Sequence, residues 1–275
     1  MIVCYFDIQS HGLDYHMHSN HTNYAWIYVW PGGEDIVIER IRNAVENGLG
    51  IILNIQGIVW NISTWTFRPT AIQDWDRMDA CFTEANVWRY IVGFHCGEEP
   101  FHHAAELAIR EGRNVNDAKD NMATHLRVMN NYLKTLYPTK YKLGIHAYTE
   151  LLPDHSSFIG DRPNLGFDVV GFDVYSDGKP YGETLSSYAW LLSQLKSLVP
   201  IGKYVLVPDG IMFTEDNLQD KLARINWICA LGWNDPTVIG IIPYCWSSTT
   251  PYTGVKENLS LLNFYSEIGS QLKVR

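Results

Sequence analysis

Tyr90-Ile91-Val92-Gly93-Phe94-His95-Cys96-Gly97-Glu98-Glu99-Pro100 is the stretch on which the fold turns. It begins as a continuous apolar run, the pattern of a parallel strand covered on both faces. It then stops abruptly at two adjacent carboxylates and a proline. Successive strand residues point to opposite sides, so Glu98 and Glu99 cannot both face one site if the strand runs through them. At least one is expected at the strand's C-terminal lip, where parallel-sheet proteins place their functional groups.

On either side of this stretch, apolar runs alternate with helix-period segments. Strands are expected over residues 2–7, 24–30, 50–55, 90–97, 142–148, 167–175, 204–207 and 238–245. Helices are expected over 34–47, 74–89, 102–110, 114–137, 183–198, a segment carrying Leu218, Leu222, Ile225 and Cys229, and 259–272. Asn114 reads as an N-cap with Asp117 at the third position. Residues 56–73, rich in Trp and Thr, read as a loop. Eight strands, most followed by a helix, predict an α/β chain closed as a single (β/α)8 TIM barrel spanning residues 1–275. An open doubly wound sheet is disfavoured, because no Gly-rich phosphate fingerprint follows the first strand.

Composition narrows the function classes. The chain has 275 residues, 46% hydrophobic and 19% charged, which is globular and long enough for one large core. A net charge of −9 with no basic stretch argues against nucleic acid or an anionic membrane as partner. No apolar run approaches the ~20 residues of a membrane span. Residues 1–7 lack a basic region and a cleavage site and read as a first strand. A removed leader would leave the same start, so both secretion and a cytoplasmic location fit. The five cysteines are scattered, without metal-ligand spacing, and are expected as small core residues rather than a disulfide framework. Ten Trp and sixteen Tyr are a heavy load, read either as core packing or as the lining of a groove, where flat aromatic faces suit the C–H faces of sugar rings.

A barrel brings all its strand ends to one face. The residues expected there are Asp7 and Gln9; Trp30; Asn54 and Gln56; His95, Glu98 and Glu99; His146 and Tyr148; Asp173 and Tyr175; Asp209; Tyr244 and Trp246. Carboxylates, imidazoles, amides and aromatics converge and cations are scarce. That suits a neutral, hydroxyl-rich ligand. Two carboxyl groups are what glycosidic cleavage needs, one to protonate the leaving oxygen and one to attack or to activate water. Glu98 or Glu99 on the fourth strand and Asp209 on the seventh lie across the mouth from each other, with Asp173 on the sixth as a third candidate.

Gly97-Glu98-Glu99-Pro100 resembles the Asn-Glu-Pro that ends the fourth strand in retaining glycoside hydrolases of the (β/α)8 superfamily of cellulases, mannanases and β-galactosidases. Asp168-Val169-Val170-Gly171-Phe172-Asp173-Val174-Tyr175 is similar to the sixth-strand segment of some β-galactosidase-like members. Trp246 is similar to the eighth-strand Trp that floors their sugar subsite. The resemblance implies a glycosidase acting on a poly- or oligosaccharide without a cofactor, with Glu99 as acid/base and Asp209 or Asp173 as its partner. His146, Tyr148, Tyr175, Asn54, Gln56, Asp7, His95 and Tyr244 would hold hydroxyls, and Trp246, Trp30 and Trp60 would stack on rings. The chain departs from the pattern in two places. Glu98 stands where the family has Asn, and Val207-Pro208-Asp209-Gly210 replaces a seventh-strand Glu.

Two other readings remain open on the sequence. Asp14-x-His16-x-His18 matches the first-strand metal signature of amidohydrolase-like barrels, which would make the chain a metal-dependent hydrolase. However, the pair does not end an apolar strand, and a polar loop near the barrel mouth is the reading favoured for it. The missing seventh-strand Glu suggests a barrel that binds carbohydrate without cleaving it.

Overall fold

The computed structural model describes residues 1–5, 14–152, 165–174, 181–212, 216–246, 248 and 253–272. Eight parallel strands form one sheet: β1 (Ile2–Val3), β2 (Tyr24–Tyr28), β3 (Gly50–Asn54), β6 (Ile91–Glu98), β7 (Tyr141–Ala147), β8 (Val169–Asp173), β9 (Tyr204–Val207) and β10 (Val238–Ile241). The order β1-β10-β9-β8-β7-β6-β3-β2 carries the sheet almost fully around. The remaining seam, between β1 and β2, is bridged by Asn23. Its Oδ1 accepts from Val3 N at 2.8 Å and its backbone N–H donates to Val3 O at 3.0 Å. The chain is a single (β/α)8 barrel.

The helices are α1 (Glu34–Glu46), α2 (Gln56–Val59), α3 (Ala71–Glu84), α4 (Pro100–Arg110), α5 (Val115–Leu136), α6 (Tyr181–Leu198), α7 (Leu218–Asn234) and α8 (Leu259–Leu272). Helix α5 starts where its cap was expected, with Asn114 Oδ1 accepting from Asn116 N at 2.8 Å and Asp117 N at 3.3 Å. The stretch read as a loop contains α2 and a small hairpin, β4 (Trp60–Asn61) and β5 (Thr66–Phe67). Strands of two residues are too short to show an alternating pattern. The last strand is four residues long, and Tyr244 follows it as an isolated bridge to Asp209.

Strand alternation sorts the apolar residues into two packed sets. Ile2, Cys4, Trp26, Ile52, Leu143, Ile145, Val169, Val205, Val207, Ile242 and Tyr244 fill the barrel interior. Ala25, Ile27, Ile51, Leu53, Phe94, Val170, Phe172, Tyr204 and Leu206 point outward and join the helices in the larger layer. The interior set fixes which side chains face the mouth on the regular strands, while β6 shifts register between His95 and Gly97, so its parity changes before Glu98. The described cysteines are free, four of them buried. Among the described residues, no helix is long and apolar enough to cross a membrane.

Candidate active site

The β6–α4 junction has almost no loop. The strand ends at Glu98, Glu99 takes a left-handed conformation (φ 44°, ψ 44°), and the helix begins at Pro100. Pro suits the first helical position, where its missing N–H costs nothing. Glu99 N donates to Ile145 O on the neighbouring strand at 2.7 Å, which pins the turn. One left-handed residue thus breaks the alternation that would otherwise send the two carboxylates to opposite sides.

Glu98 turns to the interior, where it is hydrogen-bonded to Gln56. Gln56 Nε2 lies 3.2 Å from His95 Nδ1, and the His95 ring packs on Trp26 with centroids 4.8 Å apart. Asn54 Oδ1 accepts from Gln56 N at 3.2 Å. Burial pushes the Glu98 carboxyl up to about 8, the Glu99 charge adds to the rise, and the Gln56 hydrogen bond opposes it. Burial likewise drives the His95 imidazole down to about 3, so it is neutral near pH 7.

Glu99 is hydrogen-bonded to Asp173, the last residue of β8, which is 2% exposed. Two carboxyl groups can share a hydrogen bond only if one carries a proton. Burial holds Glu99 above the usual carboxylate range. Its bond to Asp173 and nearby His102 oppose the shift, while Glu150 and Glu106 reinforce it. His103 Nε2 lies 3.9 Å from Glu99 Oε2. The face of that imidazole stacks on Trp65 of the β4–β5 turn, 3.9 Å between centroids and 12° between planes. Phe67 stacks in the same way on His125 of α5, at 4.4 Å and 9°.

The structure therefore brings together Glu98, Glu99, Asp173, Gln56, Asn54 and His95. Other expected residues are placed elsewhere. Asp209 is fully buried in an ion-paired network with α7. Its Oδ2 lies 2.7 Å from Arg224 Nη2 and 3.0 Å from Lys221 Nζ, and Lys221 also meets Asp216 at 2.6 Å. Trp60 is 1% exposed and donates its indole N–H to Cys96 O at 2.9 Å, so it is a wall residue and presents no ring face to a sugar. Trp246 belongs to the outer layer, with Tyr5 at 4.7 Å and His18 at 4.8 Å, whereas Tyr244 lies with the interior set. Trp30 stacks with Tyr28 and carries the Arg40 guanidinium 5.3 Å from its centroid. His146 points outward beneath α4, with Phe101 stacked on it and Nδ1 2.7 Å from Glu150 Oε2. Tyr148 is half-buried and opens the short turn after β7. Asp7, Gln9 and Tyr175 lie outside the described residues.

His16 is exposed, while His18 is buried with Nδ1 2.8 Å from Thr22 Oγ1. Burial holds His18 down at about 3. Among the described residues no group of three or more His, Cys, Asp or Glu could hold a metal ion. Sequence reasoning missed Glu150, although its place four residues after His146 was visible.

No protein-family model and no curated protein matches the sequence. Solved structures do match in shape. A β-glucuronidase from Bacteroides uniformis superposes with a TM-score of 0.59 at 12% identity, over 89% of this chain and 30% of its own. A GH5_18 protein from Streptomyces cattleya, solved in complex with Manb1-4GlcNAc, gives 0.61 at 13% identity over 86% of this chain and 66% of its own. A β-galactosidase from Rahnella gives 0.66 at 10% identity over 99% and 56%. The chain thus spans about a third to two thirds of these three proteins, and at such identities the likeness establishes a shared (β/α)8 fold.

Proposed function

We propose that the chain is a glycoside hydrolase that cleaves a poly- or oligosaccharide with carboxyl groups from the fourth and sixth barrel strands. The observation that carries this reading is the meeting of Glu98, Glu99 and Asp173 at one lip of the barrel. Glu98, protonated below about pH 8, faces the interior and donates the proton to the leaving oxygen. The Glu99–Asp173 pair shares one proton and supplies the second carboxylate, as nucleophile or as base for water. Gln56, Asn54 and His95 hold hydroxyls, and Tyr244 supplies the apolar floor first expected of Trp246. Asp209 serves the fold through its ion pairs. The shape likeness to a β-glucuronidase, a GH5_18 protein and a β-galactosidase supports a sugar substrate, and their differing names leave the sugar open.

The test is a panel of aryl glycosides against wild type, Glu98→Gln, Glu99→Gln and Asp173→Asn. Each variant is expected to lose on the order of 10²- to 10⁴-fold in kcat, the usual weight of a positioned acid or base. The anomer first released distinguishes retention from inversion. Turnover unchanged in all three variants would overturn the proposal. The engaged seventh-strand Asp209 favours one second reading, a barrel that binds sugar without cleaving it. Calorimetric binding of an oligosaccharide by a wild type that never turns it over would select that reading.

A further inference from the structure

The residue that precedes a helix normally uses its own side chain to accept one of the first backbone N–H groups. Glu99 holds that position before α4 and makes no such bond. The N–H of His102, the third residue of the helix, donates instead to Glu150 Oε1 at 2.9 Å. Glu150 comes from the turn after β7, 5% exposed, and its other oxygen lies 2.7 Å from His146 Nδ1. His146 is itself 1% exposed and clamped by Phe101 of α4 on one side and the edge of Phe167 on the other. A buried carboxylate with both oxygens engaged is thus doing the capping that Glu99 leaves undone.

We propose that Glu150, oriented by His146, is the positioning residue of Glu99: it caps α4 from a neighbouring strand end, so that the Glu99 carboxyl is released from the helix and turned to Asp173. This deepens the glycosidase reading and rests on it for the role of Glu99. Two effects follow from one side chain. The cap and the Glu99 N–H bond to Ile145 O together hold the left-handed turn. The charge of Glu150 also discourages ionisation of Glu99, in the company of Glu98 on its own strand, Asp173 on β8, and His102, His103 and Glu106 on α4.

The charge and the cap separate experimentally. Glu150→Gln keeps an acceptor oxygen for His102 N–H and removes the charge, whereas Glu150→Ala removes both. The readout is the titration of Glu99 followed by carboxyl carbon shifts in ¹³C-glutamate-labelled protein, alongside the pH profile of kcat/KM. Glu150→Gln is expected to fold and to lower the Glu99 titration by about one unit, the scale of a near charge lost. Glu150→Ala is expected to lose the Glu99–Asp173 contact and at least tenfold in kcat with little change in KM. A Glu99 titration unmoved in Glu150→Gln would overturn the proposal, even if Glu150→Ala fails to fold. A wild type without turnover whose Glu99 titration still moves in Glu150→Gln would refute the glycosidase reading and leave the positioning role standing.

Discussion

Arg224 Nη2 lies 2.7 Å from Asp209 Oδ2, and both side chains are buried. With Lys221 and Asp216 the group makes two acids and two bases that balance inside the layer between barrel and helix. Removing one member of a buried pair strands its partner. Asp209→Asn is therefore expected to cost about 3 kcal/mol in urea unfolding, with turnover per folded molecule preserved. A variant as stable as wild type yet inactive would return Asp209 to the chemistry.

Glu98 gives a pH signature. Its carboxyl is pushed up to about 8, so a proton-donor role predicts the alkaline limb of a bell-shaped profile, with activity falling as pH rises through that value and the acid limb belonging to the Glu99–Asp173 pair. Glu98→Gln should remove that limb together with most of the rate. Stability should follow the same group. A carboxyl whose folded-state pKa is raised favours the fold fully below its usual value of 4.5, and that benefit is lost progressively as pH rises to about 8. Glu98→Gln should therefore be more resistant to urea than wild type above about pH 8.

Acid should weaken the fold through buried neutral histidines. His95 is held down at about 3, so the unfolded chain takes up its proton first as pH falls below the usual 6.5. Its contribution is complete above 6.5 and is lost progressively toward 3. Unfolding free energy plotted against pH should flatten in His95→Asn by one proton's worth, about 1.4 kcal/mol per pH unit. An unchanged slope would mean that His95 is protonated in the folded protein.

Much of the barrel was legible because its signals are local. The apolar run before Glu98 and the stripe Met122, Leu126, Met129, Leu133 repeat at strand and helix periods, and Asn114 caps as its residue type requires. The pairing of Asp209 was not legible. Its partners lie twelve and fifteen residues on, and whether α7 turns Lys221 and Arg224 toward it depends on how the helix docks. The outward placement of Trp246 and His146 has the same origin, since parity along a strand is known only once the strand's last regular residue is known. The meeting of Glu99 with Asp173 needed a left-handed residue at a glutamate, a conformation that residue type does not announce.

With the role proposed for Glu99, that left-handed glutamate sets stability against chemistry. A non-glycine residue there costs on the order of 1 kcal/mol, and Asn tolerates the left-handed conformation better than Glu. Glu99→Asn should thus raise Tm by a few degrees while ending turnover, a shift readable in a single calorimetric scan. Selection for heat resistance alone would therefore drive this barrel toward a more durable molecule that no longer works, so improving it demands that activity be scored in every round.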